Sequence, residues 1–157
     1  MYYIIYILLP LIIGTLIGRL NNYNKEEYDK LKKPNFQPPS YVFGIVWPIL
    51  YLLIGISYYY VLKDKNYIYY VIPLIGLGFN FSYTPIFFGS KKYDSKKIYL
   101  SFIIVILTLI FGILTLIEFY YIEKNKYYSY LLIPYILWLS FASILSYKIY
   151  DLNKINN

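Results

Sequence analysis

Apolar residues fill five stretches of this chain, and polar residues gather in the segments between them. The stretches cover residues 2–20, 41–62, 67–89, 97–119 and 128–150. An α-helix needs about 20 apolar residues to cross the hydrocarbon core of a bilayer, and each stretch has this length with at most two charges. The fourth stretch is apolar around its whole circumference, as expected for a membrane span. The pattern therefore predicts an all-α integral membrane protein, a bundle of five transmembrane helices.

Composition supports a membrane protein with a single domain, residues 1–157. Hydrophobic residues make up 59% of the chain and charged residues 15%. Many of the 24 tyrosines lie at span ends, where an amphipathic ring suits the membrane interface. The first span lacks a basic leader and a cleavage pattern, so we expect it to be retained. Because there are no cysteines, disulfides and thiolate chemistry are excluded.

The distribution of the basic residues predicts the orientation of the bundle. Four of the 15 basic residues follow even-numbered spans, and the other 11 follow odd-numbered spans. Cytoplasmic loops carry the excess of lysine and arginine. The first loop, the third loop and the C-terminus are therefore predicted to be cytosolic. No extended basic face is present, so we expect no nucleic-acid partner.

The segment between the first two spans predicts a lid. Pro34, Pro38 and Pro39 restrict the backbone and disfavour helix before them, so we expect a stiff, extended loop. Ser40 can cap the second span, or Pro39 can occupy its first turn. An aromatic side chain, Phe36, lies within this loop at the mouth of the bundle. A plain connector is the alternative interpretation.

Three stretches of sequence resemble the TspO/MBR family, the translocator and tryptophan-rich sensory proteins. They read YDKLKKPNFQPPSYVFGIVWPILY at residues 28–51, NFSYTPIFFG at 80–89 and PYILWLSFASIL at 134–145. Their order and spacing are similar to those of the family. Phe36 and Tyr83 stand where the family has tryptophan, and Ser146 stands where it usually has asparagine.

The resemblance implies a membrane receptor or translocator-like protein that binds a flat apolar ligand. Candidate ligands are a porphyrin such as protoporphyrin IX, a sterol or a drug-like small molecule, held between the second, third and fifth spans under the first loop. No cofactor is required. The resemblance also implies a homodimer, in the mitochondrial outer membrane of a eukaryote or the cell envelope of a bacterium. The ligand-binding residues are then Tyr28, Phe36, Pro38, Phe43, Trp47, Asn80, Tyr83, Trp138, Ala142 and Leu145.

Two of these residue types have other interpretations. Trp47 or Trp138 taken alone suits a lipid-facing position. Asn80 is a polar side chain inside a span, where an unsatisfied amide is costly, so it should bond a neighbouring helix, Tyr83 or a ligand. The chain has no histidine or cysteine, and its one methionine is the first residue. Since haem iron usually takes such ligands, a metal-free porphyrin fits better than haem, and we predict no metal site.

Ordinary acid–base catalysis is not predicted, because the spans hold no pair of acids and no nucleophile with a base. Glu118 is the acid within a span, and we expect it to extend to the interface rather than relay protons. Light- or oxidant-driven porphyrin breakdown, with Trp47 and Trp138 as the reacting groups, is the enzymatic alternative. A structural membrane protein that captures a protein partner is the other.

The sequence contains two further patterns, which are weaker signals. Leu145, Tyr150 and Lys154 form a possible sterol motif at the end of the fifth span, of a kind that arises readily by chance. Small residues four apart, Gly14 with Gly18 in the first span and Gly78 with Ser82 in the third, allow close helix packing.

Overall fold

Five long helices form the protein in the computed structural model, which describes residues 2–21, 24–89 and 92–154. Segments long and apolar enough to cross a membrane cover Tyr3–Leu20, Ser40–Leu62, Tyr67–Phe87, Ser95–Ile122 and Tyr127–Asn153. The prediction of an all-α five-helix membrane bundle is confirmed. The helices are α1 (Tyr2–Leu20), α2 (Lys25–Lys30), α3 (Ser40–Leu62), α4 (Val71–Phe87), α5 (Ser95–Ile122), α6 (Tyr127–Tyr130) and α7 (Ile133–Asn153), with a 3-10 turn at Tyr67–Tyr70 before α4.

The long helices are arranged as a ring. Helix α4 packs along α5, α5 along α7, and α1 along α3, while α1 also touches α4. The ring closes at its loosest contact, between α3 and α7. In lipid, close packing depends on small residues that let backbones approach. At Gly55 a Cβ atom would lie 1.8 Å from the carbonyl oxygen of Ile7, so α1 and α3 touch backbone to backbone.

Several hydroxyl groups inside the bundle bond to their own helices. Thr108 donates to the Ile104 carbonyl oxygen at 2.8 Å, and Ser143 donates to that of Leu139 at 2.8 Å. Such bonds four residues back satisfy a hydroxyl without a partner from another helix. The membrane interior therefore tolerates these buried polar side chains.

At one end of the bundle, side chains satisfy the last carbonyl groups of the helices. Lys65 donates from Nζ to the Ile122 carbonyl oxygen at 2.9 Å, and Tyr70 donates from Oη to that of Leu62 at 2.8 Å. Helix ends leave such carbonyls without intrahelical partners. Basic residues at this end thus have structural roles. The predicted orientation of the bundle stays a prediction.

The first loop, at the opposite end, is partly helical. The Asn24 side chain accepts a hydrogen bond from the Glu27 amide at 3.2 Å and starts α2. The prediction of an extended loop is therefore wrong at residues 25–30, because a capping signal precedes the prolines. Residues 31–39 contain no helix, as the prolines predict. Ser40 is the first residue of α3 and Pro39 its flanking residue, without a side-chain cap, so the predicted capping role of Ser40 is wrong.

Candidate functional site

A cavity of about 470 Å³ lies inside the bundle, beneath the first loop. Every long helix contributes to its wall, because the ring of helices encloses it. The lining residues are Gly14, Gly18, Asn21, Tyr28, Gln37, Ser40, Phe43, Trp47, Tyr51, Asn80, Tyr83, Thr84, Phe87, Phe88, Val105, Thr108, Trp138, Leu139, Ala142, Leu145 and Ile149.

Aromatic rings from three helices, α3, α4 and α7, line the cavity. Trp47 stacks on Tyr51 with ring centroids 5.3 Å apart. Phe43 meets Trp138 edge to face at 5.5 Å, across the loose contact between α3 and α7. Paired rings of this kind are held in preferred geometries. The cavity therefore presents ordered aromatic surfaces rather than mobile aliphatic ones.

Two polar side chains reach into this aromatic wall. Tyr51 donates from Oη to Asn80 Oδ1 at 2.8 Å, and Asn80 is 5% exposed. This bond joins α3 to α4, so Asn80 bonds a neighbouring helix, as predicted, and its partner is Tyr51 rather than Tyr83. The Trp138 indole nitrogen, Nε1, is buried and has no hydrogen-bond partner among the described residues. A buried N–H without a partner is costly, and because this nitrogen has almost no accessible surface, it does not face the open space of the cavity.

The lid, defined as residues 24–39, closes the cavity with Tyr28 and Gln37. Gln37 donates from Nε2 to the Tyr28 hydroxyl at 2.9 Å. The Lys33 ammonium lies 3.9 Å from the centroid of the Tyr28 ring, close enough for a cation–π contact. Burial raises the pKa of Tyr28 above 10.0, so this phenol stays neutral at physiological pH. The underside of the lid is thus polar but uncharged.

Comparison with known proteins identifies the family. The sequence profile of the TspO/MBR family matches residues 6–151. The chain belongs to the TspO/MBR family. It is 33% identical over 131 residues to the tryptophan-rich protein TspO of Chlorobaculum tepidum, covering 80% of this chain and 78% of the relative. It is 35% identical over 130 residues to that of Archaeoglobus fulgidus, with 80% and 79% covered. The human translocator protein is 31% identical over 129 residues, with 78% and 72% covered.

Most of the ligand-binding residues that the family resemblance implies meet in the cavity. Those that line it are Tyr28, Phe43, Trp47, Asn80, Tyr83, Trp138, Ala142 and Leu145. Phe36 and Pro38 do not. The Phe36 ring is 48% exposed and contacts Phe141 at 6.4 Å, on the outer side of the lid. Gln37, between them, lines the cavity. Asn35 and Phe36 form a turn that is closed by a hydrogen bond from the Gln37 amide to the Pro34 carbonyl oxygen at 3.0 Å.

Sequence reasoning missed the contributions of α1 and α5 to the cavity. Gly14 and Gly18 line it from α1, and Val105 and Thr108 line it from α5. Helix α5 carries no family motif, and its apolar circumference gives no indication of which side faces inward. The small-residue pair in α1 was a usable signal, because a small residue leaves space beside it. Gly14 packs against Tyr51 within the bundle, whereas a Cβ at Gly18 would meet no atom within 4 Å.

The residues of the possible sterol motif lie at the end of α7. Leu145 is buried and lines the cavity. Tyr150 packs against the cluster that contains Leu145 and against Tyr99 on α5, with ring centroids 5.1 Å apart, and Lys154 donates to Asp151 at 2.7 Å. Sterol binding by these residues stays a prediction.

The acidic residue within α5 lies one turn before the end of the helix. Glu118 is partly exposed, four residues before Ile122, and its Oε2 atom is buried and without a hydrogen-bond partner among the residues described. Its extension to the membrane interface stays a prediction. In the described ranges, no three His, Cys, Asp or Glu side chains form a group able to hold a metal ion.

Proposed function

We propose that this protein is a membrane receptor or carrier whose cavity binds a flat, largely apolar molecule with hydrogen-bond acceptors, and that a metal-free porphyrin is the class that fits best. The observation that carries the proposal is the lining of the cavity, which combines aromatic rings such as those of Trp47 and Trp138 with the polar side chain of Asn80. The Asn80 oxygen is engaged by the Tyr51 hydroxyl, so the amide N–H groups of Asn80 are the donors that it can offer to an acceptor atom on a ligand. A flat molecule with acceptor atoms therefore matches both the rings and the amide.

The size of the cavity suits a ligand of this class. Small-molecule sites typically occupy about 300–1,000 Å³ and carry a few polar groups among apolar ones. The volume of about 470 Å³ falls within this range. Rings such as those of Trp47 and Phe43 favour offset or edge contacts with a flat π-system. A flat macrocycle makes such contacts, whereas a sterol ring system has no π-face to contribute.

The positive charge at the mouth of the cavity favours a porphyrin over a sterol as ligand. Lys32 is exposed on the lid, and no ion pair engages it among the described residues. Lys33 is engaged, with its ammonium 3.5 Å from Asp29 and over the Tyr28 ring. Porphyrin propionates carry negative charge that Lys32 can meet, and a sterol hydroxyl does not. A metal-free porphyrin fits better than haem, because the chain offers no histidine or cysteine to ligate iron.

The experiment that tests the proposal is a titration of the detergent-purified protein with protoporphyrin IX in darkness. Porphyrin visible absorption reports binding, and quenching of Trp47 and Trp138 reports its location. Ala142→Trp fills the cavity from α7. Ile144→Trp is the matched control, since Ile144 is 58% exposed on the outer face of the same helix. We expect saturable binding in the wild type and the control, and loss of binding in Ala142→Trp.

Two results would change the assignment. Equal binding by both tryptophan variants would place the porphyrin elsewhere and reject the proposal. A new absorbing product that forms under light, and that disappears in Trp47→Phe, would make the protein a porphyrin-degrading enzyme. Trp138→Phe replaces the indole by a smaller ring, so it should weaken binding roughly 2- to 12-fold, the loss of a ring contact of about 0.5–1.5 kcal/mol.

We further propose that the lid faces the cytosol and that the protein forms a homodimer. Charge distribution supports the first, since 11 of the 15 basic residues follow odd-numbered spans. Single cysteines introduced at Lys32 and Asn125, at opposite ends of the bundle, test it by labelling in intact cells. We expect an impermeant reagent to label the second position and not the first. Cross-linking in native membranes tests the dimer.

A further inference from the structure

A buried asparagine at the end of α7 holds the lid by its main chain. Asn153 is 7% exposed and is the last residue of the helix. Its Oδ1 accepts a hydrogen bond from the Lys32 amide at 3.0 Å, and its Nδ2 donates to the Lys32 carbonyl oxygen at 2.9 Å. Nδ2 also donates to the Ile149 carbonyl oxygen at 2.7 Å. One side chain thus bridges two segments that are 121 residues apart.

The geometry requires a carboxamide. The contact with Lys32 uses an acceptor and a donor side by side, which an Asn or Gln side chain provides in one group. A buried main-chain N–H or C=O needs a partner, and Asn153 is the partner that the described residues offer to both main-chain groups of Lys32. Opening the lid therefore breaks two hydrogen bonds at one residue.

The helical repeat explains why Asn153 lies at this point. Leu145, Ile149 and Asn153 follow at intervals of four residues and share one face of α7. Leu145 and Ile149 line the cavity. Asn153 continues the same face one turn beyond it, where the lid crosses. The face that binds ligand and the residue that holds the lid are thus parts of one rigid helix.

An apolar contact beside the hydrogen bonds strengthens the attachment. Leu31, next to Lys32, is 9% exposed and belongs to a cluster with Phe87, Ile98, Leu145 and Ile149. Leu31 inserts under the lid while Asn153 holds the main chain of the next residue. The apolar contact resists lifting of the lid, and the paired hydrogen bonds fix its register.

We propose that Asn153 is a latch: a positioning residue that holds the lid shut and thereby sets the rate at which ligand enters and leaves the cavity. The role of Asn153 in ligand entry and release rests on the proposed function. Its role in holding the lid shut does not depend on any ligand. Because the latch contacts the main chain of the lid and not the ligand, it acts on the rates of binding and release together. Its loss should leave the affinity almost unchanged.

The experiment compares Asn153→Leu with the wild type and with a control, Asn66→Ala. Leucine keeps the number and branching of the side-chain heavy atoms, is somewhat larger, and removes every hydrogen bond. Asn66 caps the 3-10 turn at the opposite end of the bundle, where its Oδ1 accepts from the Ile68 amide at 3.2 Å. Hydrogen exchange without ligand is measured by mass spectrometry on peptides that cover residues 24–39 and 145–154. Each net hydrogen bond corresponds to a factor of about 5 in an equilibrium constant.

We expect lid peptides of Asn153→Leu to exchange on the order of 20-fold faster, the loss of two such bonds, and those of Asn66→Ala to exchange as in the wild type. Faster exchange confined to residues 149–153 would show that Asn153 merely caps α7, and would overturn the latch. If Asn153→Leu does not fold, Asn153→Asp is used, which keeps the acceptor for the Lys32 amide and loses both donated bonds. Its lid should also exchange faster than that of the wild type.

Stopped-flow mixing with protoporphyrin IX tests the role in access. We expect the association and dissociation rates of Asn153→Leu to rise by similar factors, with a nearly constant ratio. A faster-exchanging lid with unchanged porphyrin rates would overturn the access role, because the ligand would then enter elsewhere. Absence of porphyrin binding in the wild type would reject the proposed function and with it the access role, while the exchange measurement still decides the latch itself.

Discussion

Substituting Gly55 by alanine tests the closest helix contact in the protein. The added Cβ would lie 1.8 Å from the Ile7 carbonyl oxygen and 2.8 Å from its carbon, whereas real Cβ atoms essentially never come within 3.0 Å of a heavy atom. The obstacle is backbone, so no side-chain rotation relieves it. Helices α1 and α3 must move apart by roughly 1 Å, and overpacking of this kind typically costs about 1–3 kcal/mol.

Gly44→Ala is the matched control for this substitution. Gly44 lies in the same helix, and a Cβ there meets no atom within 4 Å. Both substitutions gain the preference of alanine for helix, about 1 kcal/mol. The difference between the two variants therefore isolates the contact with Ile7. It should amount to about 1–3 kcal/mol of lost stability in Gly55→Ala.

The assay is equilibrium unfolding by sodium dodecyl sulfate in mixed micelles, followed by the fluorescence of Trp47 and Trp138. Both tryptophans lie in the cavity, so their emission should respond when the helices separate. The reasoning is refuted if Gly55→Ala unfolds at the same detergent fraction as Gly44→Ala. That result would mean that α1 and α3 do not pack backbone to backbone at this point.

Three further predictions follow from the cavity and the lid. Gly14→Ala places a Cβ 2.3 Å from Tyr51 Cε2, so the ring must turn and porphyrin titrations should show weaker binding. Gly18→Ala leaves Tyr51 in place, since its Cβ meets no atom within 4 Å, and should bind more tightly than Gly14→Ala; equal weakening would contradict the role of Tyr51. Tyr51→Phe removes the 2.8 Å hydrogen bond to Asn80 and should lower the free energy of unfolding by about 0.6–1.7 kcal/mol. The same detergent unfolding measures this loss. An unchanged stability would mean that the Asn80 amide has a second partner. Burial raises the pKa of Tyr28, so the closed lid disfavours the phenolate: lid stability should stay constant below about pH 10 and fall as the pH rises beyond it. The phenolate of Tyr28 is followed by its ultraviolet absorbance, as the difference between the wild type and Tyr28→Phe during a pH titration. The pKa of Tyr28 should lie above 10, and an ordinary pKa would contradict its buried position.

The five spans were predictable because one physical constraint, the thickness of the bilayer, sets both the length and the polarity of each helix. The cavity-lining positions of Trp47, Asn80 and Trp138 followed from motif resemblance, and the sequence offered no other route to them. A tryptophan in a membrane helix is equally suited to lipid. Hydropathy alone therefore gives the number of spans but not their inward faces.

Helix α2 was predictable from a signal that the prolines obscured. Asn24 stands three residues before Glu27, the arrangement in which an Asn side chain accepts from the backbone at a helix start, with acidic residues in the first turn. The contact between Lys32 and Asn153 was not predictable. It joins a loop main chain to a side chain far along the sequence, and no local pattern encodes such a pairing.

The two positions at which this chain differs from the family motifs can be interpreted only from their places in the fold. Tyr83 replaces a tryptophan on α4, and Ser146 replaces an asparagine on α7. Tyr83 lines the cavity and stacks on Phe87 with ring centroids 5.6 Å apart. Ser146 is 3% exposed and is not among the residues that line the cavity, and its hydroxyl has no hydrogen-bond partner among the described residues. The first departure therefore keeps an aromatic surface in the cavity wall, whereas the second changes the packing behind that wall.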